Sequence, residues 1–294
     1  MTIEKPGIFK MSNEEYHADP CPVPSLSRGI ISDLLDLTPA HAFINHPRLN
    51  PNFIFDDGES KFDIGTAVHS LFLEGIDACE VIDAPDWRGK DAKAAREAAR
   101  MDGKTPLLKH QYESALMMVD AAHKQLAASE LGIKDLHMEG DSEMSYIWQE
   151  KDGIWCRVRP DWISHKNFGD RKLILDLKTT GMSADPARFK ATDNGKDIQQ
   201  AFYKRGVKAI EGEKAPRVVF MVIENYPPYA CSFVGLDPQT AEIAKQKVDF
   251  GLFMWEKHLV MNDWPGYPNR ICYVELKPWE VAAWELKSQE IGCE

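Results

Sequence analysis

Asp161, Asp176 and Lys178 are the residues whose types and spacing could act together on a substrate. Asp176 and Lys178 lie two apart in a run, residues 172–178, that alternates as a strand does. Lys172, Ile174, Asp176 and Lys178 then face one way and Leu173, Leu175 and Leu177 face the core, which sets the carboxylate and the ammonium roughly 6–7 Å apart. Asp161 lies fifteen residues before Asp176, after Pro160, at the end of a neighbouring strand. Two strand-end carboxylates can hold a hard divalent ion, which prefers oxygen ligands. A lysine beside them can orient or deprotonate an attacking water and offset charge that grows on a phosphorus centre. Gln199 and Tyr203, at i and i+4 on the following helix, could grip the strand being cut. Together these parts compose a phosphodiester-cleaving site. Taken singly, an Asp-x-Lys triplet is common by chance, and Gln199 and Tyr203 fit the polar flank of any amphipathic helix.

The elements that must position them follow from periodicity. Residues 24–37 carry hydroxyl caps before apolar residues at helical spacing, and Pro39 opens a second short helix. Residues 62–74 read as a buried helix containing Gly65-Thr-Ala-Val-His69. From residue 143 the period becomes two, and runs 143–149 and 154–162 flank Asp152-Gly153, a hairpin signal. On the second of these runs Trp155, Arg157, Arg159 and Asp161 share one face. A helix over 197–210, a buried strand over 217–224 and its neighbour over 229–234 come next. Asp237-Pro238 caps a long helix reaching about residue 258, and the Trp- and Pro-rich tail is expected to pack back on the body. The expectation is one domain, residues 1–294, of α/β (α+β) class. It would have a helical portion over about 1–130 and a catalytic sheet core over about 140–235.

Charge and cysteines bound the function. The net charge of −11 lacks the excess of Lys and Arg that marks most nucleic-acid binders. A carboxylate-rich metal enzyme can nonetheless keep a local basic track. Residues 88–109 supply one, with Lys93, Arg96 and Arg100 on a single helical stripe that either is a solvated face or follows a phosphate backbone. Six cysteines lie far apart with no C-x-x-C pair, which argues against a zinc ribbon. Gly103-Lys-Thr105 lacks the first glycine of a phosphate-binding loop, so no nucleotide cofactor is expected. No run is long and apolar enough for a bilayer, and the start lacks the layout of a secretory signal, so the expected location is cytoplasmic, without a membrane partner.

The segments Arg159-Pro-Asp161, Leu175-Asp-Leu-Lys178-Thr-Thr180 and Gln199-Gln-Ala-Phe-Tyr203 resemble the PD-(D/E)XK nucleases. Within that class the chain is most similar to the RecE, or exodeoxyribonuclease VIII, type of phages and prophages. The likeness includes Gly65-Thr-Ala-Val-His69, Glu143 ahead of Tyr146-Ile-Trp148, Met11-Ser-Asn-Glu-Glu-Tyr-His17, Ser25-Leu-Ser27 and Trp264-Pro265, and so nearly the whole chain.

The resemblance implies a restriction-endonuclease-like core, a mixed central sheet flanked by helices. It implies that His69, Asp161, Asp176 and the Leu177 carbonyl hold the metal, that Lys178 serves the water, and that Gln199 and Tyr203 contact substrate. Glu143 would assist a second metal or position the DNA end. The cofactor would be Mg²⁺, with Mn²⁺ able to substitute. The reaction would be 5′-to-3′ degradation of linear double-stranded DNA from its ends, in a bacterial host cell, leaving 3′ overhangs for recombination. A single-strand annealing protein would be the partner, and the assembly a homo-oligomeric ring. An iron–sulfur nuclease is the competing member of the class, and the scattered cysteines argue against its cluster. A DNA-binding or assembly protein that has lost activity, or an endonuclease of the same superfamily, would share the fold.

Overall fold

The computed structural model describes residues 3–53, 63–151, 153–212 and 214–291. Phe62, Asp152 and Cys293, which the sequence reading invoked, lie outside that set. Strand β1 (Gly7–Lys10) leads into α1 (Asn13–His17), whose start is fixed by a reciprocal capping box between Ser12 and Glu15. Helices α2 (Arg28–Asp36), α3 (Pro39–Ile44) and α4 (Asp63–His69) follow. The expected helix over 62–74 is thus divided, because the chain passes from α4 into a π-turn, Ser70–Glu74, closed by Gly75 at φ +66°. Next come β2 (Cys79–Ile82), α5 (Lys90–Met101), β3 (Thr105–Leu108), α6 (Lys109–Ala128) and α7 (Leu136–Glu139). The second half holds β4 (Gly140–Ser142), β5 (Met144–Gln149), β6 (Trp155–Val158), β7 (Trp162–Ser164) and β8 (Leu173–Thr180). It closes with α8 (Lys196–Glu211), β9 (Arg217–Glu224), β10 (Cys231–Val234), α9 (Pro238–Met261) and α10 (Pro278–Ile291).

The central sheet has the order β10-β9-β8-β7-β4, with β8 and β9 parallel and the other pairs antiparallel. A parallel neighbour needs a crossover, and α8 supplies it. Both faces of β8 are covered. Leu173, Leu175 and Leu177 pack with Val68 and Phe72 from the α4 region and with Met118 and Ala122 of α6. Ile174, on the opposite face, packs with Ile198, Phe202 and Val207 of α8 and Val248, Leu252 and Trp255 of α9. A strand covered on both sides reads as a near-continuous apolar run, and in such a run the two exceptions, Asp176 and Lys178, stand out. The architecture is therefore the mixed sheet flanked by helices that the sequence indicated.

Two expectations change. Residues 154–162 form two strands in two sheets: β6 pairs with β5 beside β1, whereas β7 pairs with β8 and β4. The break falls at Arg159-Pro160-Asp161, where proline has no N–H to give a ladder. The expected common face nonetheless persists across the break: Trp155 packs with Tyr16, and the Arg157 and Arg159 guanidinium groups both lie over the Tyr16 ring, at 5.6 and 5.9 Å. Arg157 is buried against Asp19 and Ser25, and it lines one cleft with Arg159 and Asp161. The tail packs only as far as Trp264, which stacks near Phe43 and Trp255, and Tyr267, which meets the His41 ring edge-on. Beyond it, α10 buries no residue. Lys93, Arg96 and Arg100 fall on α5, the helical stripe expected of them, and Thr105–Leu108 after it is extended and pairs parallel with β2.

Beside the central sheet, Asp19, Ser25, His46 and Arg157 form a buried polar cluster that ties the N-terminal helices to β6. His46 takes a hydrogen bond from the Arg48 N–H on Nδ1 at 3.2 Å and faces the Ser25 carbonyl with Nε2 at 3.0 Å. Those two partners fit only the neutral ring protonated on Nε2. Burial first, and the Arg157 charge second, push its pKa down from 6.5 to about 4. A histidine depressed in the folded state contributes stability in full above its unfolded pKa and loses it as the pH falls toward the folded one. The window is thus pH 6.5 to 4, and the shift corresponds to about 3 kcal/mol. In urea unfolding, His46→Gln should be less stable than the parent chain at pH 7 and should lose less stability between pH 7 and 4. Parallel losses in the two proteins would show that His46 does not carry this dependence.

Candidate metal and nuclease site

The Asp-x-Lys pair sits where β7 stops covering β8. Their antiparallel pairing runs through Ile163↔Ile174 and Trp162↔Leu175 and ends there. The next N–H on that edge, Leu177, is taken by the Asp161 carboxylate at 2.8 Å. The side chain of Asp161 thus continues the ladder by one rung and is fixed against β8. In a strand the N–H and C=O of one residue point to the same side, so the Leu177 carbonyl projects from the edge that Asp161 occupies.

Asp176 is fully buried. Its Oδ2 accepts from Gln199 Nε2 at 2.9 Å, and its Oδ1 contacts the Lys178 ammonium. The same Gln199 nitrogen lies 2.7 Å from Tyr203 Oη, which donates to the Arg159 carbonyl at 3.1 Å. The i and i+4 positions of α8 therefore bolt β8 to the turn that carries Asp161. Gly206, one turn on, lets α8 lie close against β5 and β6: a Cβ there would meet Trp148 at 2.7 Å and Val158 at 2.8 Å.

His69 arrives from the other side. It is the last residue of α4, just before the π-turn, and π-turns cluster at functional sites. The Gly-Thr-Ala-Val-His segment gains a physical reason, because a Cβ on Gly65 would lie 2.9 Å from Thr179 Oγ1 of β8. Only a glycine lets α4 lie this near the strand without displacing a neighbour. His69 Nε2 then stands 3.2 Å from Glu143 Oε1 and 3.3 Å from Asp161 Oδ2. Glu143 sits between β4 and β5 at φ +59°, a left-handed conformation that costs a non-glycine residue about 1 kcal/mol or more. Its N–H donates to the Asp161 carbonyl at 3.1 Å, which holds the strained residue in place. The Arg159 guanidinium contacts the Glu143 carboxylate and donates to Asn13 at 3.3 Å.

Crowded carboxylates and cations displace one another's titration. For His69, burial lowers the pKa, but the charges of Asp161 and Glu143 outweigh it and raise the value to about 9. Burial opposes ionisation of Asp161, yet Lys178 and His69 hold its pKa down at about 2. Glu143 is raised to about 7 by burial and by Asp161, and Asp176 to about 6 by the same two causes. Lys178 stays charged, because Asp176 and Asp161 overcome the effect of its burial and raise its pKa.

This set fits a divalent cation. The ligand atoms of His69, Glu143 and Asp161 lie within 4.8 Å of one another, and Asp176 adds a buried carboxylate oxygen that accepts no well-aligned hydrogen bond. Carboxylate oxygens with one imidazole suit Mg²⁺ or Mn²⁺ better than a soft metal. The cluster opens into a cleft of about 670 Å³ that His69, Glu143, Asp161, Gln199 and Tyr203 line together with Arg28 and Arg159. No helix among the described residues is long and apolar enough to cross a membrane.

The structure thus gathers His69, Glu143, Asp161, Leu177, Asp176, Lys178, Gln199 and Tyr203 into one place. It does not bring the basic stripe there as a free surface. Arg96 and Arg100 turn back to Asp63 at the start of α4, at 3.6 and 3.4 Å, and Arg96 lies over the Trp87 ring. Lys93 is exposed. Sequence reasoning gave no role to Arg159 or Arg28, which bring guanidinium groups to the cleft; the one available signal was the position of Arg159 inside the Arg-Pro-Asp segment.

A mixed sheet whose strand edge carries Asp161, Asp176 and Lys178 beneath two helices defines the PD-(D/E)XK-like class. The chain belongs to the family described as PDDEXK-like domain of unknown function (DUF3799), whose model matches residues 47–277. Its fold is similar to the solved structure of a "Putative exonuclease" from Eubacterium rectale, at 13% identity and a TM-score of 0.57 over 94% of this chain and 99% of that one. No curated protein matches the sequence.

In the metal-free protein the His69 ring resonances should titrate near pH 9, and Glu143→Gln should move that midpoint down by about a unit. An unmoved midpoint in a folded variant would show that Glu143 does not sustain the imidazolium. Because a metal takes only the neutral ring, Mn²⁺ affinity should rise steeply from pH 7 to 9, by roughly tenfold per unit where His69 alone limits it.

Proposed function

We propose that this chain is a divalent-metal-dependent exodeoxyribonuclease of the RecE type. It hydrolyses linear double-stranded DNA from its ends in the 5′-to-3′ direction and leaves 3′ overhangs for a single-strand annealing protein. The observation that supports the reading is the convergence of His69, Glu143 and Asp161 on one cleft, with the paired Asp176 and Lys178 joined to them through Gln199, Tyr203 and the Leu177 N–H. We further assign Mg²⁺ as the ion, Mn²⁺ as its substitute, the bacterial cytoplasm as the location and a homo-oligomeric ring as the assembly.

Asp161, Asp176, His69, Glu143 and the Leu177 carbonyl would hold the metal, which when bound supplies charge against the phosphate and makes water more acidic. Lys178, fully charged and held by Asp176, orients the attacking water and offsets negative charge on the phosphorus centre. Gln199 and Tyr203 position Asp176 through their hydrogen-bond chain and present the α8 flank to the bound strand. Arg159 sits against Glu143 and lines the cleft, where its guanidinium would meet an entering phosphate.

Lys93, Arg96 and Arg100 divide by their surroundings. Lys93, exposed on α5, is assigned to the phosphate backbone, and Lys93→Gln should lower the slope of log affinity against log salt by about 1 without changing stability. Arg96→Gln should instead lower the Tm by a few degrees, since it removes a partner of the half-buried Asp63 at the base of the His69 helix. If Arg96→Gln changes the salt slope and leaves the Tm alone, these two assignments are reversed.

Nucleotide release from linear duplex DNA carrying 5′ phosphates, against a closed circular control, tests the activity. Loss of the linear substrate alone, abolished by EDTA and by Lys178→Ala, is the expected result. Cutting of the circle would replace the exonuclease with an endonuclease on the same site. Folded protein inert in every lane would make the chain a DNA-binding or assembly protein instead.

A further inference from the structure

A second cleft, of about 650 Å³, lies at the opposite end of β8. Arg171 precedes that strand, and Arg217 begins β9, where it pairs with Leu173. The five residue steps from Leu173 to Lys178 separate it from the metal cluster by about 17 Å along the strand. Lys204 of α8 reaches into it, one residue past Tyr203, so neighbouring positions on one helix serve the two clefts.

Its charges are not balanced. Asp170 is held by Arg171 at 3.0 Å and by Lys214 at 2.8 Å. Asp237 is engaged in capping α9 through the Gln239 and Thr240 N–H groups and the Thr240 hydroxyl. Among the described residues, Lys204 and Arg217 have no carboxylate within ion-pair distance. Burial, and then the Arg171 charge, hold the Lys204 pKa below its usual value, as expected of an ammonium without a counter-ion. Three lining cations, Arg171, Lys204 and Arg217, face two lining carboxylates, and Lys214 adds a second cation to Asp170, so Lys204 and Arg217 are left to meet an anion such as a phosphate monoester.

The walls are suited to more than an ion. Phe168 offers an aromatic face, and Gln200, only 2% exposed, lines the cleft with a buried amide oxygen that has no partner. An unpaired buried amide is costly, and the edge of a nucleobase could satisfy it. The volume is that of a small-molecule site, about the size that accommodates a mononucleotide.

We propose that this cleft binds a nucleoside monophosphate, its phosphate monoester held by Arg171, Lys204 and Arg217 and its base against Phe168 and Gln200. Such a ligand is a product of DNA hydrolysis, but the site stands on its own geometry and does not require the chain to be a nuclease.

Calorimetric titration of the full chain with deoxyadenosine monophosphate, in EDTA, tests it. One equivalent should bind, at least tenfold more tightly than deoxyadenosine or inorganic phosphate. Lys204→Gln and Arg217→Gln should each weaken binding roughly tenfold with unchanged melting curves, Lys204→Arg should retain most of it, and Lys178→Ala should retain all of it. No binding up to millimolar ligand would overturn the proposal, as would wild-type affinity in both cleft variants. Loss of binding in Lys178→Ala alone would place the nucleotide in the metal cleft and likewise overturn it. Equal affinity for inorganic phosphate would remove the nucleoside from the assignment.

Discussion

The hydrogen bond from the Leu177 N–H to the Asp161 carboxylate is the constraint on which the site depends. At this point β8 has lost its neighbour β7 but has not reached solvent, and an unpaired buried N–H there would cost on the order of 1–3 kcal/mol. A side chain completes the ladder in place of backbone. The bond joins the turn at Pro160 to β8 and brings the carboxylates of Asp161 and Asp176 to one strand edge. The remaining parts follow from this join. Glu143 is held in its left-handed conformation by the Asp161 carbonyl, and His69 faces the two carboxylates together.

Charge explains why the cluster is stable as it stands. Three carboxylates gathered in a half-buried space repel one another, and the raised pKa values of Glu143 and Asp176 express that repulsion together with burial. Lys178, protonated His69 and Arg159 oppose it from three directions. An ion pair broken on one side in such a place leaves an uncompensated charge, so these cations hold the cluster together. A cation of higher charge can take over the role of the imidazolium, whose proton must then leave.

How much was legible in the sequence depended on the range of the interaction. Asp176 and Lys178 were visible because strand alternation is local and their flanks are leucine and isoleucine. Gln199 and Tyr203 were visible because i and i+4 share a helical face. That both would first bind the protein's own Asp176 and Arg159 carbonyl was not, since nothing local encodes a partner 23 or 44 residues away. His69 entered through family resemblance alone; its physical signature, Gly65 pressed on Thr179, is a contact between distant segments. Pro160 did mark the strand break, but alternation across it favoured one strand. Arg96 and Arg100 fitted a solvated stripe, and only the placement of α4 shows that Asp63 claims them. The tail failed for a related reason: its Trp and Pro content suggests packing, yet composition does not name the surface.

The parallel pairing of β8 with β9 has a consequence for how this protein comes into being. An element joined through a long crossover cannot dock until its partner exists, and the register binds Leu173 to Arg217 and Thr180 to Glu224. During synthesis from the N-terminus, every carboxylate of the cluster is present well before β9 has been made. β8 at that stage has one short antiparallel neighbour and lacks the support of a completed sheet. Until β9 is made, β8 lacks the parallel neighbour that pairs with it from Leu173 to Thr180. A half-made copy has the residues but not the arrangement.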